Sequence, residues 1–165
     1  MKSVALSTLA TLLGSRLQSR GLFVTTAESC TGGGVAVALT DIAGSSAWFE
    51  RGFITYSNSA KLSVLGVDVG ILATHGAVSE ATAAQMARGA LAASASDWAI
   101  AVTGIAGPGG GVPDKPVGTV CFAWTGPQGI TKTETGHFAG DRQRIRRQSV
   151  EHALRGLLER LETSG

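Results

Sequence analysis

The run Ser29-Cys30-Thr31-Gly32-Gly33-Gly34 places a hydroxyl and then glycines between a β-prone stretch, Leu22-Phe23-Val24, and an apolar helical stretch at 35–39. Two chemistries use such a junction. The unpaired N–H groups of a first helical turn attract anions, so the loop can cradle a phosphate. The same groups can hold the oxyanion that forms when a serine attacks a carbonyl. On the second reading Ser29 is the nucleophile, and the amides of Cys30, Thr31, Gly32 and Gly33 are the oxyanion donors. Cys30 is a rival nucleophile, because a helix start stabilises a thiolate. Turned into a core, it is a small inert apolar residue instead.

Three other segments carry polar residues that a scaffold does not need. They are Thr55-Tyr56-Ser57-Asn58-Ser59-Ala60-Lys61, Val102-Thr103-Gly104-Ile105-Ala106-Gly107-Pro108-Gly109 and Gly136-His137-Phe138-Ala139-Gly140-Asp141-Arg142. Each follows a strand-like run, and strand ends of open α/β sheets converge on one crevice. Arg142 at a helix start opposes the macrodipole, which points to a task such as holding an anion. Gly109, Gly110 and Gly111 let a backbone approach a phosphate closely. A merely flexible connection is the alternative for those glycines.

The elements that must position these groups follow from periodicity. Leu6, Leu9, Leu13 and Leu17 recur at helical spacing, and Gly21 ends that helix. Strands are expected at 22–26, 52–56, 98–102, 117–125 and 131–138, the last two as a hairpin across Gly126-Pro127-Gln128-Gly129. Helices are expected at 33–39, from near Ser59, at 80–93 behind Ser79 as N-cap, and at 141–161. The order predicts a three-layer α/β/α sandwich around a mixed β-sheet, with a C-terminal hairpin and a long closing helix. No linker or repeat divides residues 1–165, which reads as a single domain.

Composition narrows the classes. Apolar residues make up 44% of the 165, so the chain is globular. Charged residues are only 16%, which suggests surface buried in an oligomer, a dimer most simply. A net charge of +2 gives no reason to expect nucleic acid, although Arg142, Arg144, Arg146 and Arg147 cluster. No stretch is long and apolar enough for a membrane, and the N-terminus lacks a signal-peptide pattern, so a cytoplasmic location is expected. Cys30 and Cys121 support no disulfide framework, and His75, His137 and His152 show no metal-ligand spacing. Neither a metal nor a cofactor is expected. A kinase-like phosphate handler would need a Walker-type Gly-x-x-x-x-Gly-Lys-Ser/Thr, and the chain has none.

Taken together, the segments resemble the CinA C-terminal domain family, the nicotinamide-nucleotide amidases. The resemblance rests on residues 27–33, Ile42-Ala43-Gly44-Ser45-Ser46, Tyr56-Ser57-Asn58 with Lys61, His75-Gly76-Ala77-Val78-Ser79, residues 103–110, residues 115–120, and Gly140-Asp141-Arg142 with Arg146. They run in order over nearly the whole chain, as in a stand-alone form without the molybdopterin-binding-like domain of some relatives. The family implies hydrolysis of nicotinamide mononucleotide to nicotinate mononucleotide and ammonia. It implies Ser29 as nucleophile and Lys61 as base, with Tyr56 and Thr103 beside them. A lysine serves as a base only when neutral, which burial or a nearby cation achieves. The alternative function is a non-catalytic nucleotide-binding module in competence or the DNA-damage response.

Overall fold

The computed structural model describes residues 3–164. Five strands form one sheet in the order β2-β1-β3-β4-β5. They are β1 (Val24–Glu28), β2 (Phe49–Ile54), β3 (Trp98–Gly104), β4 (Thr119–Thr125) and β5 (Thr131–His137). The first three run parallel, and β4 and β5 add antiparallel strands on the β3 side, so the sheet is mixed. Among the described residues six α-helices complete the fold: α1 (Ser3–Ser19), α2 (Gly34–Thr40), α3 (Asn58–Leu65), α4 (Val69–His75), α5 (Glu80–Ala92) and α6 (Arg142–Thr163). Among the described residues, no helix is long and apolar enough to cross a membrane.

Side-chain size separates the two faces of the sheet. Ile100, Val102, Phe122 and Trp124 point to one side and join Leu13, Leu17, Leu154 and Leu157 of α1 and α6. Each such burial contributes about 1.5–3 kcal/mol. The other face presents Ala99, Ala101, Cys121 and Ala123 to Ala83, Met86, Ala87 and Ala90 of α5. Small residues on both partners let α5 lie close to the sheet. Behind α5, Gly89 meets α3 so closely that a Cβ there would sit 2.0 Å from the Leu65 carbonyl oxygen.

Several boundaries differ from the sequence expectation. The first strand begins at Val24 rather than at 22, because the Leu22 N–H closes α1 on the Leu17 carbonyl and the Phe23 N–H goes to the Asp97 carboxylate. It runs on to Glu28, since the flanking strands hide all five of its residues, polar or not. The second strand occupies Phe49–Ile54 rather than 52–56, in register with β1. α3 starts one residue before the expected Ser59, with the Ser57 hydroxyl accepting from the Ala60 N–H. α4 has no counterpart in the sequence pattern. It is two turns long, and its start depends on Asp68 accepting from the Gly70 and Ile71 N–H groups.

Candidate active site

The parallel half of the sheet brings three loops to one edge. β1 and β3 pair in register from Val24 with Trp98 to Glu28 with Val102, so their carboxyl ends coincide. Beyond that edge the Ser29 N–H donates to the Val102 carbonyl at 2.9 Å, and the Thr55 N–H donates to the Glu28 carbonyl at 2.9 Å. Ser29 and Thr55 are thereby fixed to the strand ends. α3 then returns Lys61 toward the same edge. Its Nζ lies 3.0 Å from the Ser29 Oγ and donates to the Thr55 carbonyl at 2.9 Å. The Tyr56 carbonyl is a third neighbour at 3.5 Å.

Lys61 is 1% exposed and has no ion-pair partner among the described residues. Burial lowers its pKa from the ordinary lysine value, against a smaller opposing influence of Cys30. Nζ donates to the Ser29 Oγ and to the Thr55 carbonyl, and a lowered pKa makes the neutral amine more accessible than in an ordinary lysine. Cys30, only 5% exposed, behaves in the opposite sense. Burial pushes its thiol pKa up to about 12, and the nearby Glu28 carboxylate adds to the rise. It is a thiol at neutral pH, which matches the inert alternative.

The Ser29 turn is built differently from the sequence expectation. α2 does not open at 33; four turn residues intervene, and its first residue is Gly34. The buried Glu28 carboxylate takes the N–H groups of Val35 and Ala36 at 2.8 and 3.0 Å and the Thr31 hydroxyl at 2.6 Å. The positive end of α2 thus holds a carboxylate of the chain itself. Within the turn, the Gly32 N–H donates to the Ser29 carbonyl at 3.0 Å. Of the four expected oxyanion donors, Cys30 lines the cavity above Ser29, whereas Thr31, Gly32 and Gly33 do not. The signal for Glu28 was present: a lone carboxylate inside an otherwise uncharged strand, seven residues before the amide it caps.

That cavity has a volume of about 300 Å³. Ser29, Lys61, Tyr56, Thr103, Gly109, Gly110 and Arg142 all contribute to its wall; Gly111 does not. A Cβ at Gly111 would instead lie 3.0 Å from the Val117 backbone nitrogen. Thr103 is tied to the Ala77 carbonyl at 2.9 Å rather than to Ser29. Tyr56 is 59% exposed, and its hydroxyl accepts from Arg142 Nη2 at 2.9 Å rather than meeting Lys61. Arg142 Nη1 donates to the Gly107 carbonyl at 2.9 Å, linking α6 to the glycine loop. Among the described residues no carboxylate lines the cavity, so its polar character is cationic and neutral. Ala77 and Val78, at the turn before α5, complete a wall that the sequence pattern did not anticipate.

The fold is a mixed α/β sandwich with a buried amine against a strand-end hydroxyl. The chain belongs to the CinA C-terminal domain family, whose model matches residues 6–161. It is 54% identical over 157 residues to the nicotinamide-nucleotide amidohydrolase PncC of Escherichia coli strain K12, covering 95% of each chain. It is 53% identical over 154 residues to the protein of the same name from Pseudomonas putida, covering 93% of this chain and 96% of that one. The crystal structure of the competence/damage inducible protein CihA from Agrobacterium tumefaciens matches with a TM-score of 0.93 at 48% identity, over 96% of both chains.

Proposed function

We propose that this chain hydrolyses the carboxamide of nicotinamide mononucleotide, giving nicotinate mononucleotide and ammonia, with Ser29 as nucleophile and Lys61 as general base. The observation that carries the mechanism is the 3.0 Å contact between the Lys61 amine and the Ser29 hydroxyl. The names of the E. coli and P. putida relatives support the substrate class.

An amide is a poor electrophile and a serine hydroxyl a poor nucleophile, so the proton must leave as the C–O bond forms. Neutral Lys61 accepts that proton from Ser29 Oγ. The carboxamide carbon becomes tetrahedral, and its oxygen takes the negative charge near the Cys30 N–H. Lys61, now an ammonium, returns the proton to the amide nitrogen as the C–N bond breaks, and ammonia leaves. Water then attacks the acyl-Ser29 ester, giving its proton to Lys61; the bond from the acyl carbon to Ser29 Oγ breaks, Lys61 returns the proton to Oγ, and nicotinate mononucleotide departs.

The lining accounts for the nucleotide. A pyridinium beside Lys61 favours the neutral amine, as any second cation does. Arg142 and the Gly109 and Gly110 backbone in the wall are the groups to receive a phosphate. Ammonia release from nicotinamide mononucleotide, the dinucleotide and free nicotinamide tests this. Turnover of the mononucleotide, with loss of that turnover in Ser29→Ala, is expected. Nucleotide binding without ammonia would leave the non-catalytic alternative.

A further inference from the structure

Arg146 stands one helical turn beyond Arg142 and faces the nucleophile turn rather than the cavity. Its Nε donates to the Cys30 carbonyl at 3.1 Å and its Nη2 to the Thr31 carbonyl at 3.2 Å. It has no ion pair among the described residues, so those two carbonyls receive its charge. Gly32 is part of the same fit. Its φ is +58°, and a Cβ there would lie 3.2 Å from Arg146 Nη2.

The peptide groups of the turn are connected in series. The Thr31 carbonyl that Arg146 polarises shares a peptide group with the Gly32 N–H. That N–H donates to the Ser29 carbonyl at 3.0 Å. The Ser29 carbonyl in turn shares a peptide group with the Cys30 N–H. Chains of hydrogen bonds polarise one another, each bond strengthening the next. Cys30 is the turn residue that lines the cavity, and its N–H, at the end of this series, makes no hydrogen bond to another residue among those described.

We infer that Arg146 is a positioning residue for the reaction: it locks the turn after Ser29 and, through two peptide groups, strengthens the Cys30 N–H as oxyanion donor. The inference rests on Ser29 being the nucleophile. It also explains why the chain can commit the α2 amides to Glu28: a guanidinium behind the turn supplies the positive field that the helix end does not bring to the oxyanion. Because an oxyanion exists only after attack, the contribution falls on the transition state and leaves substrate binding alone.

The test compares Arg146→Gln and Arg146→Lys with wild type in the full chain, measuring kcat and KM for ammonia release from nicotinamide mononucleotide together with the thermal melt. Arg146→Gln is expected to lower kcat by roughly 10- to 100-fold, less than the ~10²–10³-fold cost of losing a donor outright. KM stays within about twofold, the pattern of an interaction made only in the transition state. Arg146→Lys keeps the charge but cannot reach both carbonyls as a fork does, so its kcat is expected between the two. A wild-type kcat in either folded variant, or a KM increase with kcat unchanged, overturns the inference. If the glutamine variant does not fold, the lysine variant decides alone. Ser29→Ala is assayed in parallel: turnover retained there ends the nucleophile assignment itself, whereas an inactive Ser29→Ala beside a fully active Arg146→Gln ends only the role of Arg146.

Discussion

Lys61→Met separates the two consequences of burying an amine. In the wild type, burial holds the Lys61 pKa below its ordinary value. Below the folded pKa the lysine is charged in both states, and the folded protein bears the whole desolvation cost. Between that pKa and the unfolded value of ~10.4 the unfolded chain binds a proton that the folded chain lacks, so stability rises with pH by up to about 1.4 kcal/mol per unit. Above ~10.4 the rise ends. Methionine carries no proton and removes this slope. It also strips a donor from the Thr55 carbonyl, a loss of about 1–3 kcal/mol at any pH. A buried ammonium costs several kcal/mol and exceeds that loss. The variant should therefore be the more stable protein where Lys61 is charged, and its advantage should shrink and reverse as pH climbs. Urea midpoints of both proteins, measured from neutral pH to beyond ~10.4, supply the comparison, and subtraction removes every other titrating group. Activity moves the other way: removing the general base lowers kcat/KM by ~10²–10⁴-fold where the wild-type amine is neutral, and by less at lower pH. The reasoning is refuted if the two stability profiles stay parallel throughout the window, because Lys61 would then hold its proton equally in both states.

The remaining predictions address neighbouring parts of the site and the core. Lys61→Arg should be nearly inactive, since a guanidinium cannot act as a neutral base; wild-type-like turnover near neutral pH would remove Lys61 from that role. Arg142→Ala should raise KM more for nicotinamide mononucleotide than for a carboxamide lacking the phosphate, and equal effects on both would argue against a phosphate contact. With the Cys30 pKa near 12, only about one thiol in 10⁴ is ionised at pH 8, so iodoacetamide should leave activity intact and label Cys30 only after denaturation. Gly89→Ala should lower the unfolding midpoint by the equivalent of at least ~1–3 kcal/mol, because its Cβ would sit 2.0 Å from the Leu65 carbonyl oxygen; an unchanged midpoint would show that α3 and α5 separate freely.

The layout of layers was legible because it rests on local patterns. The buried run at 98–102, the hairpin signal at 126–129 and the leucine spacing of the outer helices each depend on neighbours in the chain. α4 was not legible, because its seven residues, between Asp68 and Gly76, span only two turns, too short to show a period. The first strand was displaced by two residues because its start is defined by partners distant in sequence: the Trp48 carbonyl accepts from the Val24 N–H, and the Asp97 carboxylate, 74 residues away, accepts from the Phe23 N–H. The parallel register then carried Glu28 inside with the rest of β1.

The sequence by itself determined which groups were available: a serine after the first strand, a lysine in the turn that opens α3, glycines near a cationic helix start, and no metal-binding pattern. Only the tertiary structure decided what those groups do to each other. Burial at the sheet edge lowers the Lys61 pKa and brings its amine to the Ser29 oxygen, and neither burial nor proximity is a property of residue type. The α2 amides, which looked free in the sequence, are satisfied by Glu28, and the carbonyls of the turn are held by Arg146 from the far end of the chain. A hydrogen bond depends on positions accurate to tenths of an ångström, and across such sequence distances those positions are set by packing.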